Sequence, residues 1–292
     1  MVKPGEDAWE EFVGLISEFL RLGEIEVRSR LHTELVEPGI HVAQEWEKSG
    51  PVTAEDIARF YRETDSYIID LAVDGCRPQR RAVWGSVVRR LERRGRGKDV
   101  LVYGDGIGSD SMALARRGHR VTYFDVPGRT SQFARFRFER AGMLNRITML
   151  QTEGEIPVEG FDAVVCLEVL EHLMDPLAAI RSIWDALRYE GVAIISASFG
   201  SVGPAHPSHL PQNLVYAGSI HQTMEGAGFA NTYYNKSPVN YPMEFRKVRG
   251  GVRGSVLILA GKIRRAVDTR LRRLGVRVGE ALAPAVETGT RL

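Results

Sequence analysis

Two rhythms divide the chain. Up to about residue 97 the apolar positions recur at helical spacing; beyond it, short continuous apolar runs alternate with helical stretches. Trp9, Phe12, Val13, Ile16, Phe19 and Leu20 mark a first helix. Thr53, just ahead of Glu55 and Asp56, opens another that runs through Ile57, Phe60 and Tyr61 towards Ile68. A third extends from Ala82 to Arg94, with Val83, Val87, Val88 and Leu91 on one face. Its arginines, Arg89, Arg90, Arg93 and Arg94, read as a solvated face. After Gly95-Arg96-Gly97, strands are predicted at Asp99–Tyr103, Arg120–Phe124, Ile147–Leu150, Phe161–Leu167, Gly191–Ala197, Phe229–Tyr234 and Ser255–Ala260. Helices are expected through Met112, Leu114 and Ala115, from about Arg129 to Ala141, over Pro176–Leu187 and over Ser219–Ala227. Strands alternating with helices imply right-handed crossovers and a mostly parallel α/β sheet.

Composition narrows the class without naming it. Of 292 residues, 43% are apolar and 26% charged, which leaves ample material for a buried core. No apolar run approaches the ~18 residues of a membrane-spanning helix. The start turns acidic at Glu6-Asp7 and has no apolar signal core, and Cys76 and Cys166 are too few for a disulfide framework or a four-cysteine zinc site. A cytoplasmic protein is expected. Three segments follow: a helical region 1–97, an α/β domain 98–260 and a basic tail 261–292.

The net charge of +2 hides a polarity. Residues 1–66 carry 15 Asp/Glu against 7 Lys/Arg, whereas residues 243–292 carry 12 Lys/Arg against 4 Asp/Glu. From Lys262 to Arg277, apolar residues recur among arginines as in a basic amphipathic helix. Its expected partner is the acidic N-terminal region of the same chain, in preference to a membrane surface or nucleic acid. The end, Glu287 to Leu292, is expected to fray.

The first strand-to-helix turn reads Tyr103-Gly104-Asp105-Gly106-Ile107-Gly108. Glycines let backbone approach a ligand, and the following helix points free amides at it. Asp125 ends the next strand, 21 residues after Gly104, where a carboxylate can accept both ribose hydroxyls of a nucleoside. The spacing is G-x-G-x-G, and Ser109 stands where a dinucleotide fingerprint has its last glycine.

This stretch, with Phe161–Leu167 and the following Glu168-Val169-Leu170-Glu171-His172-Leu173, resembles the class I S-adenosylmethionine (SAM)-dependent methyltransferases. The resemblance covers about residues 98–260. It implies a Rossmann-like, doubly wound, mostly parallel seven-stranded sheet, here with an N-terminal helical extension. It also implies that Tyr103, Gly104, Asp105, Gly106 and Gly108 line the cofactor, that Asp125 with Val126 beside it holds the ribose, that Glu153 meets the adenine edge, and that Glu168 borders the cofactor. Val102 stands where the family usually carries an acid, and Asp105 is a candidate to compensate.

The E-x-x-E-H box lies beyond the fourth strand, where ligands bind in such sheets. It resembles that of ubiquinone-type O-methyltransferases and of small-RNA 2′-O-methyltransferases. Glu168, Glu171 and His172, with His209 from the later segment His206-Pro207-Ser208-His209, are candidate ligands for magnesium, manganese or zinc. Without metal, His172 is a candidate general base, and Glu168, His206 and His209 candidate catalytic partners. Equally, the histidine can pack and cap a helix, Glu171 can be a helix-terminus charge, and His206 and His209 can order their loop. His221 ranks lower, on a helix farther away.

The expected activity is SAM-dependent methyl transfer, giving S-adenosylhomocysteine, to a small molecule at a hydroxyl oxygen. Transfer to nitrogen or carbon, RNA 2′-O-methylation and non-catalytic SAM binding stay open as alternatives; nucleic acid is not the expected partner. Residues 1–97, with Tyr61, Arg62 and Tyr67, would shape the acceptor pocket or form a homodimer surface.

Overall fold

The N-terminal pattern resolves into six helices in the computed structural model, which describes residues 6–51, 53–95, 97–204, 206–233, 242–249 and 252–273. They are α1 (Glu6–Leu20), α2 (Glu24–Val36), α3 (Ile40–Ser49), α4 (Ala54–Glu63), α5 (Ser66–Cys76) and α6 (Pro78–Glu92). Phe12, Ile16, Val27, Leu31, Ile68 and Val73 form a buried core among α1, α2 and α5. Thr53 caps α4: its hydroxyl accepts the Asp56 N–H, while the Asp56 carboxylate accepts the Thr53 N–H. The helix does not run on towards Ile68. It stops at Glu63, where buried Thr64 turns extended; its hydroxyl donates to Glu45 and accepts the Ser66 N–H.

Next come β1 (Asp99–Tyr103), α7 (Ser109–Arg116), β2 (Arg120–Phe124), α8 (Arg129–Arg140), β3 (Ile147–Leu150), β4 (Phe161–Leu167), α9 (Pro176–Ala186) and β5 (Leu187–Ser196). The chain closes with α10 (Ile220–Gly226), β6 (Phe229–Tyr233), β7 (Met243–Lys247) and α11 (Val252–Arg273). The seven strands form one sheet in the order β3-β2-β1-β4-β5-β7-β6. β1 to β5 pair in parallel, and β7 runs antiparallel to both its neighbours. Both faces are covered. Leu101, Val164, Cys166 and Ile195 pack on one side, and Val100, Val102, Tyr123 and Val165 on the other. Burial on both faces explains why these strands read as continuous apolar runs.

Two expectations fail at the C-terminal end. The seventh strand is Met243–Lys247, and the apolar run Ser255–Ala260 lies inside α11. A short apolar run is ambiguous between strand and helix by pattern alone, and Leu257, Leu259 and Ala260 are good helix formers. α11 packs against β6, and Arg265 pairs with Glu225 of α10 at 2.6 Å. Among the described residues it is not packed on the acidic N-terminal helices. α1, α4 and α5 lie against α8, beside β2 and β3, whereas β6 is the opposite edge of the sheet. Residue 234 of the sixth predicted strand, residues 274–277 of the predicted tail helix and Glu287 to Leu292 lie outside the described residues.

Gly261 makes the approach of α11 to β6 possible. A Cβ there would sit 2.7 Å from the Asn231 carbonyl oxygen, a backbone atom of β6. Gly261→Ala should therefore lift the helix and lower stability by about 1–3 kcal/mol, as overpacking does. Chemical denaturation of the variant checks this; unchanged stability would mean that α11 is not seated on β6.

Candidate active site

The strand order reverses between β1 and β4: the chain leaving β1 turns towards β2, and the chain leaving β4 turns towards β5. A crevice opens where such connections diverge, beyond the carboxyl ends of the strands. Every candidate side chain of the first half of the site hangs from these ends. The glycine turn follows β1, and Gly106 takes a left-handed backbone (φ +54°) with Leu71 of α5 lying 2.5 Å from where its Cβ would be. A side chain at 106 would thus meet strain and a neighbour together.

Asp125 lies immediately beyond β2. Its carboxylate accepts the Gly106 N–H at 2.5 Å and the Val126 N–H at 2.7 Å. Burial pushes its pKa up to about 6, against the pull of these two amides. Val126 beside it is exposed. Tyr103, buried at the end of β1, donates its hydroxyl to Glu153 at 2.8 Å, so the two predicted cofactor residues are brought together. Asp105 is differently employed. Its oxygens accept the Asp110 and Ser111 N–H groups at 3.0 and 2.7 Å, which caps α7 instead of replacing the acid absent at 102. Burial and nearby Asp110 raise its pKa to about 7. Val102 packs in the sheet core with Met112, Tyr123 and Val165.

The acid–histidine box follows β4. Glu168 adopts a left-handed backbone (φ +55°), rare for a residue with a side chain and a form of local strain found at functional sites. Its carboxylate accepts the Ser198 hydroxyl. Glu171 is almost fully buried; its Oε1 accepts the Ser198 N–H at 2.8 Å, and its Oε2 has no hydrogen-bond partner among the described residues. Burial, then the charge of Glu168, holds the Glu171 carboxyl well above the usual range. Asn213 donates to the carbonyls of Glu171 and Leu173 at 3.0 and 2.9 Å and so fixes the turn.

His172 Nδ1 lies 3.0 Å from the Tyr61 hydroxyl and 3.3 Å from the Ser208 carbonyl. A carbonyl only accepts, so the tautomer protonated at Nδ1 satisfies it and leaves Nε2 with its lone pair. Burial, then His209, pushes the His172 pKa down to about 3; burial and His206 push that of His209 to about 4. Both rings are neutral at ordinary pH. The His172 and His209 ring centroids are 4.6 Å apart, and exposed His206 stacks on His209 at 4.8 Å. Nδ1 of His209 is buried without a hydrogen-bond partner among the described residues. Glu171, His172 and His209 offer ligand atoms all within 4.8 Å of one another. Glu168 stands outside this group of three, and His221 sits beside Glu225 and Arg265 at the α10–α11 contact.

The helical region brings two tyrosines to His172. Tyr61 and Tyr67 stack with ring centroids 5.2 Å apart, and Tyr67 donates its hydroxyl to that of Tyr61 at 3.2 Å. Burial raises the Tyr61 pKa to about 12, so the phenol stays protonated. Arg62 does not join them. One position on, its side chain turns to the surface and pairs with Glu55 at 2.6 Å. Ser198, Ser208 and Asn213 were not singled out by sequence. Ser198 had a usable signal, since it lies two residues beyond β5, the strand beside β4.

Residues 101–195 match the family model described as a methyltransferase domain. That segment runs from β1 to β5 and includes the glycine turn and the acid–histidine box. Over 106 residues it is 36% identical to a ubiquinone biosynthesis O-methyltransferase of Actinobacillus pleuropneumoniae, covering 34% of this chain and 45% of that protein. Over 103 residues it is 38% identical to a protein of the same name from Pseudomonas aeruginosa, covering 34% and 44%. The chain thus spans less than half the length of the curated relatives it matches. Among solved structures, a SAM-dependent methyltransferase from Aquifex aeolicus has TM-score 0.46 and 17% identity, covering 59% of this chain and 94% of that one.

Were a nucleoside held at the glycine turn, its ribose hydroxyls would donate to an ionised Asp125. Its raised value means that this form is lost as pH falls through about 6. SAM affinity should be flat above neutrality and weaken about tenfold per pH unit below that point. Asp125→Asn should remove the inflection and weaken binding by about 1.5–3 kcal/mol through loss of charged hydrogen bonds. Calorimetric titration across pH measures both; an unchanged profile in the variant would take Asp125 out of the site.

Proposed function

We propose that this chain transfers the methyl group of SAM to a hydroxyl oxygen of a small molecule. The observation that carries the reading is the convergence of Glu171, His172 and His209, with Tyr61 of the Tyr61–Tyr67 pair on His172 and Val169 of the same loop against Gly104 of the glycine turn. The names of the relatives, O-methyltransferases of ubiquinone biosynthesis, support oxygen as the acceptor atom and a small molecule as its carrier.

The glycine turn and Asp125 fit an adenosyl cofactor, because the turn has no room for side chains and the carboxylate beyond the next strand is hydrogen-bonded to the turn's Gly106 amide. SAM when bound supplies a methyl group already activated on a sulfonium, so the protein's task is alignment and handling of the acceptor proton. Tyr61 and Ser208 hold the His172 ring through Nδ1, and the tautomer they favour leaves the Nε2 lone pair to take the acceptor's proton. The stacked tyrosines exclude water and shape the pocket, so residues 1–97 serve as its wall and cover.

Two buried atoms without hydrogen-bond partners among the described residues, Glu171 Oε2 and His209 Nδ1, also fit a divalent ion. Glu171, His172 and His209 would hold it, and it would lower the pKa of a bound hydroxyl. A set with two imidazoles suits manganese or zinc better than magnesium.

Two outcomes are expected. With a panel of phenolic acceptors, His172→Ala should lower kcat by about a hundredfold or more while S-adenosylhomocysteine affinity stays within about twofold. Equal losses in both would make His172 a cofactor or structural residue. Titration with Mn²⁺ followed by electron paramagnetic resonance should show one bound ion per chain, lost in His209→Ala and weakened in Glu171→Gln. No binding, together with full turnover after exhaustive chelation, would remove the ion and leave His172 as general base.

A further inference from the structure

α11 carries apolar side chains on its outer as well as its inner side. Inward, Gly254 and Gly261 are buried, Leu257 and Ile258 are half-buried, and Arg265 is bound to Glu225. Outward, Val256, Leu259, Ile263 and Val267 are 57%, 56%, 56% and 49% exposed. Their spacing of three, four and four residues places them in one stripe along the helix. At 1.5 Å per residue the stripe is roughly 16 Å long. A single exposed apolar side chain is ordinary, but four aligned on one helix form a surface that a partner covers.

The charge of the helix selects the partner. Val252–Arg273 carries seven Lys/Arg against the single Asp268, and Lys262 and Arg270 are exposed beside the stripe. Two copies facing each other through this surface would bring the same excess of positive charge together. An anionic surface complements it. We propose that the outer face of α11 docks this protein on an anionic lipid surface, with the four apolar side chains at the boundary between headgroups and acyl chains and the basic side chains on the headgroups. The attachment is peripheral, because no helix among the described residues is long and apolar enough to cross a membrane. The inference is independent of the methyl acceptor and of the residues placed in the active site.

Cosedimentation of the full chain with vesicles tests it. Vesicles of pure phosphatidylglycerol should bind the protein at least about tenfold more tightly than vesicles of pure phosphatidylcholine, and raising the salt should release it. The double variant Leu259→Gln with Ile263→Gln replaces half-exposed side chains by good helix formers, so its melting temperature should match that of the parent. Its binding to phosphatidylglycerol should fall by about tenfold or more. Equal binding to both lipids, or a folded double variant that binds like the parent, would overturn the proposal. So would absence of vesicle binding with a concentration-dependent dimer that the double variant abolishes, an outcome that assigns the stripe to a second copy of this chain.

Discussion

The reversal of strand order between β1 and β4 is the constraint on which the site depends. Parallel strands buried on both faces have nowhere to place polar groups except at their ends. The ends where neighbouring connections part company are the ones left open. The glycine turn, Asp125, the acid–histidine box and Ser198 all lie there, immediately beyond β1, β2, β4 and β5. None of them is adjacent to another in sequence except within its own loop. The sheet brings them together, and the apolar runs of the strands fix the register that does so.

The N-terminal helices complete what the sheet leaves unfinished. α5 rests Leu71 on the glycine turn, and α4 delivers Tyr61 to His172. Their own core keeps them rigid enough to do this, and Arg129 of α8 ties to Asp65, at the junction of α4 and α5, at 2.7 Å. Burial at this junction keeps His172 neutral and the Tyr61 phenol protonated. Opening it would rehydrate both groups, so the electrostatics of the site and the placement of the helices are one property.

Much of this was legible in the chain because parallel strands and amphipathic helices announce themselves. β1, β2, β3 and β4 begin and end at the residues that the pattern predicts. β7 escaped because Glu244, Arg246 and Lys247 make it look like surface. In the fold, Glu244 is held by Arg94 and Thr232, and the Lys247 ammonium reaches the Leu187 carbonyl at 2.8 Å over the rings of Trp184 and Tyr189. Periodicity cannot see partners of that kind. In the site, spacing located the box but not its grouping. Helical spacing would set Glu168 beside Glu171 and His172, whereas its left-handed backbone sends it to Ser198, and His209 takes the third place from a separate loop. Asn213 and Ser208 act through backbone contacts, which leave no mark in the sequence.

The central claim is that the crevice beyond β1 and β2 is a site for an adenosyl cofactor, and titration calorimetry with S-adenosylhomocysteine tests it most directly. Saturable micromolar-range binding of one molecule per chain is expected, with chemical shifts on a labelled sample moving first at Gly106, Asp125 and Val126. Absence of binding in a folded sample, or binding that leaves those amides unmoved, would contradict it.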